Sequence, residues 1–103
     1  IGADGAIGGT YGVMPELYLK IFELCKAGDY AEARKIQYAA DAIIYAMCAC
    51  KGNLYAVMKA IMKIREGLDI GSVRKPLPAV VPEDMEQVKK CAGMIDEAIK
   101  AYC

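Results

Sequence analysis

Histidine and tryptophan are absent from these 103 residues, and phenylalanine occurs once. Without histidine the chain has no side chain that titrates near neutrality unperturbed. It also lacks the commonest proton shuttle and metal ligand, so nothing within it can build a nucleophile–His–acid triad. An excess of either charge is missing too: 13 Lys and Arg face 13 Asp and Glu, interleaved along the chain. That balance offers no basic footprint for nucleic acid and no polybasic run for anionic lipid. No hydrophobic run is long. The most tempting one, Tyr38 to Cys50, is broken by Asp41 and falls far short of the ~20 apolar residues a membrane span needs. The opening, Ile1-Gly2-Ala3-Asp4-Gly5, has no initiator Met, no basic region and no apolar signal core, and reads as an internal cut.

The five cysteines, at 25, 48, 50, 91 and 103, are odd in number, and the first four sit in helically periodic stretches. They contain no CxxC, and no histidine completes a zinc site, so neither a disulfide framework nor a bound metal is expected. Free thiols in this number point to a reducing, cytoplasmic compartment. Length sets a further bound. A complete (β/α)₈ barrel needs roughly 250 residues and a doubly wound sheet several βαβ units, so neither fits whole, and one modest core is all the chain can bury.

What is present is well punctuated. Residues 1–12, IGADGAIGGTYG, hold five glycines, too many for a helix interior but suited to a short buried strand running into a loop. Pro15 and Glu16 suit the first turn of a helix that runs to about residue 27, with Leu17, Ile21, Leu24 and Cys25 on one stripe, widened by Tyr18 and Phe22. Gly28 stops it. Asp29 and Glu32 have capping-box spacing and open a helix over 29–50, with Ala33, Ile36, Ala40, Ile43, Ile44 and Met47 inward. Gly52-Asn53 breaks the pattern before a helix over 54–66 carrying Val57, Met58, Ile61 and Met62, with Lys63 and Arg65 in its last turn. The proline-bearing run VRKPLPAVVP reads as an extended crossing. A last helix, 82–102, places Met85, Val88, Ala92, Ile95, Ile99 and Tyr102 inward. The expected fold is all-α, four helices after a glycine-rich strand, and that strand has no partner within the chain.

Few residues are candidates for chemistry. The turn Gly8-Gly9-Thr10-Tyr11-Gly12 has two readings: a tight turn needed for close packing, or a loop whose backbone N–H groups meet a polar ligand without Cβ obstruction. It matches no phosphate-binding motif. Tyr11 and Tyr18 either line a site beside this turn or form the rim of the core. The carboxylates other than Asp4 read as solvated, and the lysines occupy polar helix faces, so none is a candidate Schiff-base nucleophile.

The runs GADGAIGGTYGVMPELYLKIFELCKAGDYAEA, KGNLYAVMKAIM and VRKPLP resemble the C-terminal third of the N-acetylneuraminate lyases, a branch of the dihydrodipicolinate synthase-like class I aldolases. The sharpest part is the family's G-A-D-G-x-I-G-S-T-Y-N motif. The resemblance implies a parent (β/α)₈ barrel with three extra C-terminal helices, tetrameric, cleaving sialic acid to pyruvate and N-acetylmannosamine through a lysine Schiff base, with no cofactor. Residues 1–27 would be the last strand, 3–8, and last helix, 14–27, of the barrel and residues 28–103 the helical extension. The glycine turn would then lie at the mouth of the barrel, with Gly8, Gly9 and Thr10 as substrate-binding residues. Two positions depart from the motif: its Ser, which approaches substrate polar groups in the lyases, is Gly9 here, and its Asn is Gly12.

The family's lysine, its tyrosine proton shuttle and its carboxylate-binding Ser/Thr pair belong to strands that precede these residues, so the chain alone is expected to lack lyase activity. Two other readings stay open: a related pyruvate-dependent aldolase acting on another 2-keto-3-deoxy sugar acid, and a free-standing helical interaction module. Helices that once packed on a barrel would leave apolar faces that drive self-association.

Overall fold

The computed structural model describes residues 2–103, so of the expected barrel-derived range 1–27 the first residue lies outside it. Four α-helices follow one another: α1, Pro15–Lys26; α2, Tyr30–Cys48; α3, Leu54–Glu66; α4, Met85–Tyr102. No β-strand forms among the described residues. The strand expected over 3–8 is absent because a strand is defined by a neighbour to share its ladder, and no other segment here supplies one. Residues 2–7 are exposed, Ile7 fully so.

Local chemistry explains the helix boundaries. Pro15 takes the first position of α1, where its missing N–H costs nothing. At the other end Gly28, with φ of +81°, turns the chain so that its N–H reaches the Cys25 carbonyl and that of Asp29 reaches Leu24. Asp29 then caps α2, its Oδ1 accepting from the Glu32 N–H at 3.2 Å. The Glu32 carboxylate bonds Lys35 rather than closing the box back onto Asp29. Asn53 caps α3 by accepting from the Tyr55 N–H at 2.9 Å. Gly67, at φ of +69°, ends that helix. The run expected to start the last helix at residue 82 forms a 3-10 turn, Pro82–Asp84, before α4 proper begins.

The helices bury one continuous core. Leu17 of α1, Ile36, Ala40, Ile43 and Met47 of α2, Val57 and Ile61 of α3 and Val88, Cys91 and Ile95 of α4 meet there, joined by Val13 and Met14 from the segment before α1. Each fully buried Ile, Leu or Met side chain contributes about 1.5–3 kcal/mol through apolar area removed from water. Ile21, Leu24, Ile44, Met62, Ile99 and Tyr102 pack at its edge. Phe22 and Met85, both expected to help the apolar faces, are instead exposed.

A second correction concerns Asp84. Expected to be solvated like the other carboxylates, it is 4% exposed. Its carboxylate accepts from the backbone N–H groups of Lys51, Gly52 and Val81 at 2.8, 2.9 and 3.2 Å, pinning the α2–α3 junction to the start of α4.

Candidate functional site

The glycine-rich segment ends in a 3-10 turn, Gly9–Gly12, entered through Gly8 in extended backbone. The Tyr11 N–H returns to the Gly8 carbonyl at 3.3 Å, and those of Val13 and Met14 return to Thr10 at 3.2 and 3.3 Å. Aromatic side chains stand beside both leading glycines. A Cβ on Gly8 would lie 2.5 Å from the Tyr11 ring, and one on Gly9 would lie 3.0 Å from the Tyr55 ring and 3.6 Å from the Met58 methyl. Tyrosine rings thus occupy the space that side chains at these two positions would take. The same absence of side chains leaves Gly9 exposed and Gly8 half-buried, so their backbone groups remain reachable.

Thr10, the third candidate residue, is turned into the fold. It is buried, and its Oγ1 lies 2.6 Å from the Tyr18 Oη. The Tyr11 and Tyr18 rings meet with centroids 4.2 Å apart and planes tilted by 41°. Burial pushes the Tyr18 phenol above its ordinary range, the charges of Tyr11 and Asp41 add to this, and only the Thr10 hydrogen bond opposes it. Tyr18 is thus a neutral phenol at pH 7 whose hydroxyl is committed to Thr10.

Arg65 was read from sequence only as a cation favoured by a helix C-terminus. Its side chain is 13% exposed and does more specific work. From the last turn of α3 it donates through Nη1 to the Val13 carbonyl at 2.8 Å, and its Nε bonds Asp96 of α4, also at 2.8 Å. The turn is therefore tied through Val13 to two helices. No signal in the spacing of Arg65 distinguishes this role, because its partners lie 52 and 31 residues away.

A hollow of about 250 Å³ lies beside the end of the turn, with Gly12, Val13, Glu16 and Arg65 in its wall, and it does not include Gly8, Gly9 or Thr10. The lysines expected on polar faces are none of them buried. The five thiols are free, and burial raises those of Cys50 and Cys91 above the ordinary thiol value, which keeps them protonated and weakly nucleophilic. Among the described residues no three His, Cys, Asp or Glu side chains cluster in a way that could hold a metal ion, and no helix is long and apolar enough to cross a membrane. What these residues form is a glycine-containing 3-10 turn flanked by Tyr11, Tyr18 and Tyr55, with the Gly9 backbone exposed.

Comparison with known proteins places the chain in a family. The chain is 65% identical over 102 residues to the N-acetylneuraminate lyase of Mediterraneibacter gnavus, a match covering 99% of this chain and 32% of the relative. It is 39% identical over 94 residues to the N-acetylneuraminate lyase of Haemophilus influenzae, covering 91% of this chain and 30% of that one. Among solved structures, wild-type Ruminococcus gnavus sialic acid aldolase superposes with a TM-score of 0.96 at 64% identity, over 99% of this chain and 34% of the aldolase. A catalytic-lysine mutant of that aldolase superposes with a TM-score of 0.97 at the same identity, over 33% of its length. The chain thus spans about a third of the length of the relatives it matches. The model of the dihydrodipicolinate synthetase family matches residues 1–95, and the chain belongs to that family.

Proposed function

We propose that these residues form the C-terminal third of an N-acetylneuraminate lyase. They would be the last strand and last helix of a (β/α)₈ barrel followed by a three-helix extension, with the glycine turn at the barrel mouth. The reaction would be reversible cleavage of sialic acid to pyruvate and N-acetylmannosamine through a Schiff base on a lysine outside this chain. The observation that carries this reading is the match to the R. gnavus aldolase, 64% identity at a TM-score of 0.96 across 99% of the chain. The exposed, unpartnered run of residues 2–7 supports it, since a neighbouring barrel strand would cover it.

In this reading the chain's own contribution is binding and placement. Gly8 and Gly9 present backbone groups to the sugar acid, and Thr10 holds the turn through Tyr18. The whole enzyme would be a cytoplasmic homotetramer needing no cofactor.

The test is a chimaera in which residues 1–103 replace the matching third of the R. gnavus aldolase. It is expected to release pyruvate from N-acetylneuraminate and to be trapped as a reduced pyruvate adduct by borohydride, whereas residues 1–103 alone give neither. A folded chimaera that traps pyruvate yet ignores N-acetylneuraminate would overturn the substrate. Activity of the 103 residues alone would overturn the assignment of the lysine.

Two features favour other readings. Gly9 stands where the motif carries Ser, which admits a different 2-keto-3-deoxy sugar acid. The core closes among the four helices and the segment before them, as a free-standing interaction module requires. The chimaera assayed on several sugar acids separates the first, and sedimentation of residues 1–103 the second, since helices built to pack on a barrel should self-associate.

A further inference from the structure

We infer that the outward face of α2 pairs with α2 of a second copy of the chain, antiparallel about a two-fold axis that passes between Gln37 and Tyr38. The pairing goes beyond the homotetramer proposed above by naming a face, a register and an ion pair, and it needs none of the chemistry.

Three tyrosines mark the face: Tyr30, Tyr38 and Tyr45 are 55%, 65% and 77% exposed. At about 100° per residue they share with Arg34 and Asp41 a stripe that spans about 80° of the helix surface and runs about 22 Å along it. The stripe points away from the core, which α2 meets through Ala33, Ile36, Ala40, Ile43 and Met47. Tyr and Arg are enriched where proteins associate. A face built into the interior of a barrel would instead carry aliphatic side chains, not an arginine, an aspartate and three phenols.

The charges identify the partner. Three and four residues from Arg34 stand Tyr30, Ala31, Gln37 and Tyr38, and at the same distances from Asp41 stand Gln37, Tyr38, Ile44 and Tyr45. Neither charge therefore has an opposite one within reach along its own helix. Neither forms an ion pair with another element among the described residues. Gln37 Nε2 donates to Asp41 Oδ1 at 2.8 Å, which steadies the carboxylate and leaves Oδ2 for a guanidinium. Arg34 and Asp41 are themselves about 10 Å apart along the axis, too far to meet. A second α2 laid antiparallel in this register sets Arg34 opposite the copy's Asp41 and Asp41 opposite the copy's Arg34. It also sets Tyr30 opposite Tyr45, with Tyr38 beside its own copy at the axis. A parallel pair in register would bring like charges together. The stripe is thus complementary to itself reversed, which an isologous two-fold contact requires.

The test uses the chimaera, as a whole enzyme, in sedimentation. Arg34→Asp sets two carboxylates against each other across the axis, and Asp41→Arg sets two guanidinium groups. Each is expected to weaken association about tenfold, lowering the sedimenting mass at a concentration where the parent is fully assembled. The double variant Arg34→Asp/Asp41→Arg should restore it. A second measurement stands even where a charge reversal fails to fold. With the exposed Cys48 and Cys103 changed to serine, Tyr38→Cys should be joined to its copy by a short bismaleimide, and Leu19→Cys, on the exposed side of α1, should not. Unchanged mass in both reversals overturns the inference and leaves the face to a different protein or to solvent. So does a double variant no better than the single ones, or a Tyr38→Cys that crosslinks no more than Leu19→Cys. Sedimentation reads the pairing whether or not the chimaera cleaves N-acetylneuraminate, so a failure of the lyase reading shows separately.

Discussion

The carboxylate of Asp84 accepts a hydrogen bond from the backbone N–H of Gly52 at 2.9 Å across 32 residues of sequence. The N–H groups of Lys51 and Val81 converge on the same carboxylate, so one side chain satisfies three backbone donors where the α2–α3 junction meets the start of α4. Asp84→Ala leaves these donors without a partner in a place water reaches poorly, which costs more than the bonds themselves contributed. The expected result is a drop in thermal midpoint on the order of 10 °C, followed by circular dichroism. Asp84→Asn, which keeps one acceptor oxygen, should fall between. The three N–H bonds, that of Lys51 foremost, hold the Asp84 carboxyl below its ordinary value of 3.8, against the opposing effect of burial. A depressed folded value means the ionised form stabilises the fold at all pH above about 4, and this stability is lost as pH falls from there through the folded value. Denaturant midpoints measured from pH 6 down to pH 2.5 should decline for the parent chain, and Asp84→Asn should remove part of that decline. Equal slopes would show that Asp84 does not supply it.

Gly52 faces backbone, not a movable side chain. A Cβ there would lie 2.8 Å from the Val80 Cα and 2.9 Å from its nitrogen, and the Asn53 N–H, bonded to the Pro78 carbonyl at 2.9 Å, holds the two strands of chain together. Gly52→Ala must therefore push the crossing segment away from the junction, at a cost of roughly 1–3 kcal/mol. Because the shift also disturbs the N–H that Asp84 accepts, the losses in Gly52→Ala and Asp84→Asn should be less than additive in urea denaturation.

The helices were legible in the sequence because each is bounded by chemistry local to its ends. Pro15, Gly28, Asp29, Asn53 and Gly67 all act within a few residues of where they stand, and each does what its type implies. Asp84 and Arg65 were misjudged for the opposite reason. Both look like ordinary charges at helix ends, and only the tertiary fold brings them to partners tens of residues away. Of the candidate site, the turn and its glycines could be read directly. The commitment of the Thr10 hydroxyl to Tyr18 and the approach of Tyr55 to Gly9 could not, since neither follows from helical spacing. No strand forms over 3–8 because none of the other described residues offers it a ladder to pair with.

Arg65 joins the turn to α3 and α4 through two bonds made by different nitrogens of one planar group, to Val13 and to Asp96. Lysine keeps the charge but not the fork, so it can reach one partner and not both. Arg65→Lys is expected to lower stability by about 1 kcal/mol and to speed amide exchange at Val13 and Met14, whose N–H groups bond Thr10. Exchange at Ile43 and Ile95, deep in the core, should change only by the global loss. Uniform acceleration across all four would mean that Arg65 stabilises the fold without specifically holding the turn.

Thr10 and Tyr18 allow the sharpest separation of a bond from its parts. Thr10→Val keeps the shape of the buried side chain but leaves the Tyr18 hydroxyl facing a methyl group, and Tyr18→Phe leaves the Thr10 hydroxyl equally alone. Each single change strands one partner in a half-dry site and should cost about 1–2 kcal/mol. The double change strands neither, so its cost should be well below the sum, giving a coupling of about 1 kcal/mol in a double-mutant cycle. The cycle also bears on the turn's role. If the Thr10 hydroxyl serves only to hold Tyr18, the double variant placed in the chimaera keeps its KM for N-acetylneuraminate. If the hydroxyl also contacts the sugar acid, KM rises in every variant lacking it, whether or not stability has been restored.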